Sequence, residues 1–265
     1  MTFLEENHLL KRMELRIIFQ RFTPNGLRRR TPISNQLEYL SITCPHAEDI
    51  RSLISNIPLN KGAYLILVCS SRNGGLNDIL SHIPVTHFPN LQLPTRLHSH
   101  NSCIRSYGPN GSFWFESLSP SEMSFVGLPL LFFGRTRGLH PRGSKNGPLN
   151  PSIFPVLETL ALERNSSPQG TLSILFSSPE SFPLPKTLAF LDCNLSEVFM
   201  ESLARFASER KNTTSVGFGR VVIACQERES PSAESIRAVE RHVSVVDVRP
   251  SPTELPDDLR WCREW

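Results

Sequence analysis

The segment His98-Ser-His100-Asn-Ser-Cys103 places two imidazoles and a thiol within six residues, enough for three metal ligands. A tetrahedral zinc site needs a fourth group or a water, and no C-x-x-C or H-x-x-x-H pair completes the set. The three are therefore read as polar loop residues, with no metal and no cofactor expected. Nucleophilic chemistry has no better footing. There is no G-x-S-x-G elbow, and Cys44, Cys69, Cys193 and Cys225 fall on strand-like positions where a thiol is buried and inert. Gly217-Phe-Gly219 precedes a strand pattern instead of following one, the wrong order for cradling a phosphate. Glu48-Asp49 sits at a helix start, where it favours the helix dipole, and Asp257-Asp258 reads as part of a solvated tail. The chain is read as noncatalytic; a small hydrolase is kept only as a distant alternative.

Composition narrows the partner. The chain has 265 residues, 39% of them hydrophobic and 20% charged, with 28 basic and 25 acidic residues well mixed apart from Arg28-Arg29-Arg30. Such a chain buries a core and folds. A nucleic-acid binder wants a basic face with stacking aromatics, and three Trp and three Tyr are scattered along the sequence, so no nucleic acid is expected. The longest apolar stretch, Phe125 to Phe133, is broken by Pro129 and is too short for a span, so no membrane is expected either. Charges at Glu5, Glu6, Lys11, Arg12, Glu14 and Arg16 interrupt any secretory h-region, and the six cysteines are spaced singly. A cytoplasmic or nuclear address follows as an expectation.

The elements that would position a binding surface are periodic. Leu40-x-Ile42-x-Cys44 and Leu65-x-Leu67-x-Cys69 alternate as strands do, each matched position displaced by 25 residues. Each strand is followed by an i, i+3, i+4, i+7 stripe: Ile50, Leu53, Ile54 and Ile57, then Leu76, Ile79, Leu80 and Ile83. The arrangement returns after residue 150. Leu157-x-x-Leu160-x-Leu162-x-x-Asn165 fits the leucine-rich-repeat formula, and Leu188-x-Phe190-x-x-Cys193-x-Leu195 fits it with Pro185 standing for the first leucine. Leu172, Leu175 and Phe176 predict a short helix. Ser196 and Ser232 are N-caps for helices carrying Phe199, Leu203 and Phe206, and Ile236, Val239 and Val243. Val221-x-Ile223-x-Cys225 and Val246-x-Val248 give two further strands, again 25 apart.

The fold class is accordingly α/β: a leucine-rich-repeat-like stack of strand-helix units with a mainly parallel sheet, interrupted by an irregular Pro/Gly-rich segment. Residues 1–36 read as an N-terminal helix or linker, with Leu9, Leu10, Met13 and Ile17 on one stripe. Residues 37–91 and 153–250 carry the repeats, 92–152 the irregular insertion, and 251–265 a C-terminal tail. Residues 84–155 hold 10 of the 22 prolines, which excludes long helices there. Within the insertion, Ile104–Tyr107 and Phe113–Phe115 pair as a hairpin across Gly108-Pro109-Asn110-Gly111, and Gly134 to Asn150 reads as a long mobile loop. Side chains between the core positions face the opposite way. They form the candidate partner-binding surface: Tyr39, Ser41 and Thr43; Ile66 and Val68; Thr159, Ala161 and Glu163; Thr187, Ala189 and Leu191; Val222; Asp247 and Arg249. Either the Pro-rich middle segment covers part of this apolar face, or another protein does, or the sheet is covered on both faces within the chain as in an ordinary α/β domain.

With those residues in view, the chain resembles a fungal family of F-box proteins that carry degenerate leucine-rich repeats. The likeness runs roughly from residue 37 to 259. It rests on Leu40-Ser-Ile-Thr-Cys-Pro-His-Ala-Glu-Asp-Ile-Arg-Ser-Leu53, Gly75-Leu-Asn-Asp-Ile79, Tyr107-Gly-Pro-Asn-Gly-Ser-Phe113, Phe154-Pro-Val-Leu-Glu-Thr-Leu160, and Lys186-Thr-Leu-Ala-Phe-Leu-Asp-Cys193 through Arg205-Phe-Ala-Ser-Glu-Arg-Lys-Asn-Thr-Thr214. The resemblance implies a protein-protein interaction scaffold akin to the substrate-recognition repeats of a ubiquitin-ligase adaptor. Residues 1–36 lack the three-helix F-box of that family, so a Skp1-type adaptor is not expected as the partner. A truncated paralogue or gene-model fragment without independent function is the alternative.

Overall fold

A computed structural model describes residues 10–17, 37–57, 59–70, 76–80, 94–100, 103–117, 135–143, 154–164, 168–177, 186–214, 219–226, 230–250 and 254–263. The chain divides into two compact units, Met1–Arg135 and Thr136–Trp265. Both are α/β and built mainly from parallel strands, as the strand-helix alternation predicts.

In the N-terminal unit, strands β1 (Arg12–Arg16), β2 (Tyr39–Cys44), β3 (Tyr64–Cys69), β4 (Arg96–His100), β5 (Cys103–Gly108) and β6 (Gly111–Ser117) lie in the order β1-β2-β3-β6-β5-β4. The pairs β1-β2, β2-β3 and β3-β6 are parallel; β6-β5 and β5-β4 are antiparallel. The 25-residue displacement seen in the sequence is the ladder register itself: Leu40 stands beside Leu65, Ile42 beside Leu67 and Cys44 beside Cys69. All six side chains are buried. Helix α1 (Ala47–Asn56) lays Ile50, Leu53 and Ile54 onto that row, and α2 (Leu76–Leu80) adds Leu76, Ile79 and Leu80. Each such fully buried aliphatic side chain stabilises by about 1.5–3 kcal/mol. His46 gives α1 no side-chain cap, but Glu48 and Asp49 occupy its first turn, and buried Asp49 accepts the Cys44 thiol at 3.7 Å.

Two expectations for this unit are corrected. Residues 12–16 form a strand, not a helix, because Met13 and Leu15 alternate in register with Leu40 and Ile42 of β2. Met13 buries its side chain there. Within the segment read as irregular, residues 96–100, 103–108, 111–117 and 138–142 are strands. The expected hairpin is present as β5-β6, its turn made by Pro109 and Asn110, with Gly111 at φ 109. The strand at residues 138–142 even includes Pro141.

In the C-terminal unit, β7 (Gly138–Arg142), β8 (Thr159–Glu163), β9 (Thr187–Leu191), β10 (Arg220–Ala224) and β11 (Val245–Arg249) form a parallel ladder in chain order. Leu139, Leu160, Leu188, Val221 and Val246 share one rung. Helices α3 (Pro168–Ser177), α4 (Glu197–Thr214) and α5 (Ala233–Glu240) follow β8, β9 and β10. The caps fall where expected: Ser196 Oγ accepts from Phe199 N–H and Ser232 Oγ from Ser235 N–H, both at 3.2 Å. Phe199, Leu203 and Phe206 are buried, with Phe199 edge-on to Phe190 at 5.2 Å.

A backbone device recurs after these strands. Gly143, Arg164 and Asp192 take positive φ of 93°, 49° and 53°. Their amides then continue the ladder, donating to Glu163, Leu191 and Ala224 carbonyls at 3.0, 2.9 and 2.7 Å. Residues 138–142 within the presumed loop Gly134–Asn150 are thus strand β7; residues 144–150 lie outside the described residues, as do Asn165, Pro185 and Ile83. The presumed tail is corrected too. Residues 257–263 form a 3₁₀ helix that buries Leu259, Trp261 and Cys262. No described helix is long and apolar enough to cross a membrane.

Candidate interaction surface

Because strand side chains alternate, each sheet turns one face to its helices and a second face away from them. The registers fix which residues share the second face of the N-terminal sheet. One row reads Arg12, Tyr39, Tyr64, Ser112, Tyr107 and Arg96. The next reads Glu14, Ser41, Ile66, Trp114, Arg105 and His98, and the third Arg16, Thr43, Val68, Glu116, Cys103 and His100. Tyr39, Tyr64 and Tyr107 are the three tyrosines of the chain. Scattered in sequence, they converge on one face.

This face is graded. Across β1, β2, β3 and β6, the β1 positions Arg12, Glu14 and Arg16 are exposed and Tyr39, Ser41, Thr43, Tyr64, Ile66, Val68, Trp114 and Glu116 are half-buried. Toward β5 and β4, His98, Arg105 and Cys103 are buried. The rings at the open side are already paired. Tyr39 and Tyr64 stack with centroids 5.8 Å apart and planes within 2°. The Arg12 guanidinium lies over Tyr39 at 4.3 Å, and the Arg105 guanidinium over Trp114 at 3.9 Å. Glu14 accepts from Arg12 at 2.6 Å. Burial, more than the neighbouring rings and charges, pushes the Tyr64 hydroxyl up from its ordinary value, so it remains a donor at neutral pH.

The C-terminal unit treats its second face differently. Of the two readings for Ala161, Ala189, Leu191 and Val222, a partner or coverage within the chain, the structure shows the second: they are buried beneath Leu255, Leu259, Trp261 and Cys262. The small side chains of the strands make the trough, and the C-terminal segment fills it. Trp261 closes so tightly over Gly138 that a Cβ there would stand 2.9 Å from its Cζ2. The ring also meets His140 edge-on at 6.1 Å.

Polar residues border this covered strip. Arg220 donates to Asp247 at 2.7 Å and to Asp258 at 3.0 Å, and Arg249 donates to Asp247 at 2.6 Å. Asp258 thus pairs with Arg220 while staying exposed, and Asp257 is exposed too. At the other end, His140, 0% exposed, lies 3.1 Å from Glu163 Oε2, and Arg142 lies 3.2 Å from Oε1. Burial alone would raise the Glu163 carboxyl, but His140, Arg142 and Arg164 outweigh it and hold it below its ordinary value. The Arg249 hydrogen bond, then that of Arg220, does the same for Asp247 against its own burial. His140 itself has no exposed surface. Thr159, Thr187, Asp247 and Arg249 stay half-buried at the strip's margins.

The remaining chemical candidates resolve in the same way. His98, His100 and Cys103 do share a face, but no group of three His, Cys, Asp or Glu among the described residues is arranged to hold a metal. Burial, helped by Glu116, pushes the Cys103 thiol up to about 12. Sequence reasoning missed Tyr64, Trp114, Arg12 and Arg16 as surface residues. A signal for one was present: Tyr64 precedes Leu65 as Tyr39 precedes Leu40, at the same 25-residue displacement. Compared with protein-family models, curated proteins and solved structures, the chain matches none.

Proposed function

We propose that the chain is a noncatalytic recognition scaffold, its strand-helix units stacked in the manner of leucine-rich repeats, that binds another protein through the second face of its N-terminal sheet. One contrast carries this reading. The equivalent face of the C-terminal unit is filled by residues 255–262, whereas Tyr39, Tyr64, Ile66, Val68 and Trp114 remain half-exposed beside exposed Arg12 and Arg16. Tyr, Trp and Arg are the residue types that dominate binding energy at protein interfaces. The likeness to the recognition repeats of F-box adaptors agrees with this role, as does a cytoplasmic or nuclear location.

The test compares the purified chain with a variant carrying Tyr64→Ser, Ile66→Ser and Trp114→Ser, each tethered to beads and exposed to cell extract. A partner retained by the first and lost by the second is identified, purified and shown to bind with the same dependence. Identical capture by both forms, with both folded by circular dichroism, would refute the assignment.

A further inference from the structure

We propose that the partner presents an acidic, extended segment to the Arg12–Tyr39–Tyr64–Trp114 side of this face; the inference rests on the scaffold reading and names its ligand chemistry. Four arginines, Arg12, Arg16, Arg96 and Arg105, share the face with two glutamates, Glu14 and Glu116. Glu14 is committed to Arg12, while exposed Arg16 makes no ion pair with any described residue. The charge asymmetry extends beyond the face. Residues 1–135 hold 13 basic against 9 acidic residues, and residues 136–265 hold 15 against 16. The chain's positive excess thus belongs to the unit whose second face is open.

Aromatics and arginines on a sheet also suit a single-stranded nucleic acid, and the ring geometry decides between the two. Bases stack on free ring faces. Here Tyr39 is sandwiched between Arg12 and Tyr64, and Trp114 lies against Arg105, so those ring faces are taken. Tyr39 and Tyr64 sit at half-exposed positions with flat sides turned to one another. The Tyr39 and Tyr64 hydroxyls, together with a guanidinium fork at Arg16, are donors for carboxylates. Half-buried Ile66 and Val68 beside them offer apolar contact to the segment's backbone and methylene groups.

The probe is a fluorescein-labelled deca-glutamate peptide, titrated with the full chain at low salt and followed by anisotropy; deca-lysine and oligo-dT of equal length run beside it. Deca-glutamate should bind and weaken as salt rises. Arg16→Glu should weaken it at least about tenfold, as expected when a charge-assisted pair becomes a repulsion. The double variant Tyr39→Phe with Tyr64→Phe keeps the ring stack and removes only the hydroxyls, and it should also weaken binding. Absence of deca-glutamate binding by a folded chain overturns the proposal, as does binding indifferent to these variants or tighter binding of oligo-dT. Deca-lysine binding that depends on the same face would sink the acidic partner while leaving the scaffold reading intact.

Discussion

Trp261 and Gly138 provide the sharpest test of how the C-terminal segment is seated. A Cβ on Gly138 would stand 2.9 Å from Trp261 Cζ2 and 3.1 Å from Cη2, against a comfortable carbon separation of about 3.5–4.0 Å. The indole, 4% exposed, cannot swing away without disturbing Leu259 and Cys262. Gly138→Ala should therefore cost about 1–3 kcal/mol, the range for overpacking a filled core. Trp261→Ala should cost about 3–5 kcal/mol through the cavity it leaves. Combined, the two are not additive. With the indole gone, the added methyl meets open space, so the second change should cost less than about 0.5 kcal/mol, leaving a coupling of about 1–3 kcal/mol. Urea unfolding followed by far-ultraviolet circular dichroism reads this without needing the lost fluorophore. At about 2–3 kcal/mol per molar urea, the coupling is a midpoint displacement of about 0.3–1.5 M. Strict additivity would show that Trp261 does not rest on Gly138 in solution, and the covered strip would have to be redrawn.

Three further outcomes follow from other sites. Glu163 and Asp247 both have carboxyls held below their ordinary values of 4.5 and 3.8, so each contributes stability that is complete above those values and lost as pH falls through the depressed ones. Glu163→Gln should flatten the acid limb of a stability-against-pH curve, and an unchanged limb would contradict the assignment. Ser196→Ala should lower stability by about 0.5–2 kcal/mol through loss of the cap on α4, read from the thermal midpoint; no change would mean that the Ser196–Phe199 bond does not form. All six cysteines are buried thiols outside any disulfide, with Cys44 and Cys103 further protected by burial that raises their pKa. The native chain should release no chromophore from a thiol-exchange reagent at pH 8 and six equivalents in urea. Rapid native labelling would place at least one thiol at the surface.

The repeats were legible because the period-2 pattern and the 25-residue displacement are local and repeated, so Leu40 and Leu65, or Val221 and Val246, could be aligned before any contact was known. Strand β1 was not legible. Leu9, Leu10, Met13 and Ile17 satisfy a helical stripe as well as Met13, Leu15 and Ile17 satisfy alternation, and five residues are too few for either period to win; pairing with β2 decides it. In the Pro/Gly-rich stretch the β5-β6 hairpin was legible, but β4 and β7 were not; β7 contains Pro141, a residue that argues against a strand. The binding face was half legible. Alternation gave Tyr39, Ser41, Thr43, Ile66 and Val68, but it could not say that Ala161, Ala189, Leu191 and Val222 meet residues from the far end of the chain. That contact joins positions up to about 100 apart, and its only local trace is the small size of the alanines.

Synthesis from the ribosome gives that last contact a temporal side. Ala161, Ala189, Leu191, Val222 and Ala224 have all been made by residue 224, yet Leu255 is 31 residues further on and Cys262 is 38. At about 5–20 residues per second, roughly two to six seconds pass before any of the covering side chains exists. During that interval the nascent C-terminal unit carries a bare apolar strip along its strands, the kind of surface that chaperones hold and that aggregates nucleate on. A ribosome that stalls or terminates before Leu255 therefore releases a polypeptide whose ladder is complete but whose sticky side stays permanently uncovered.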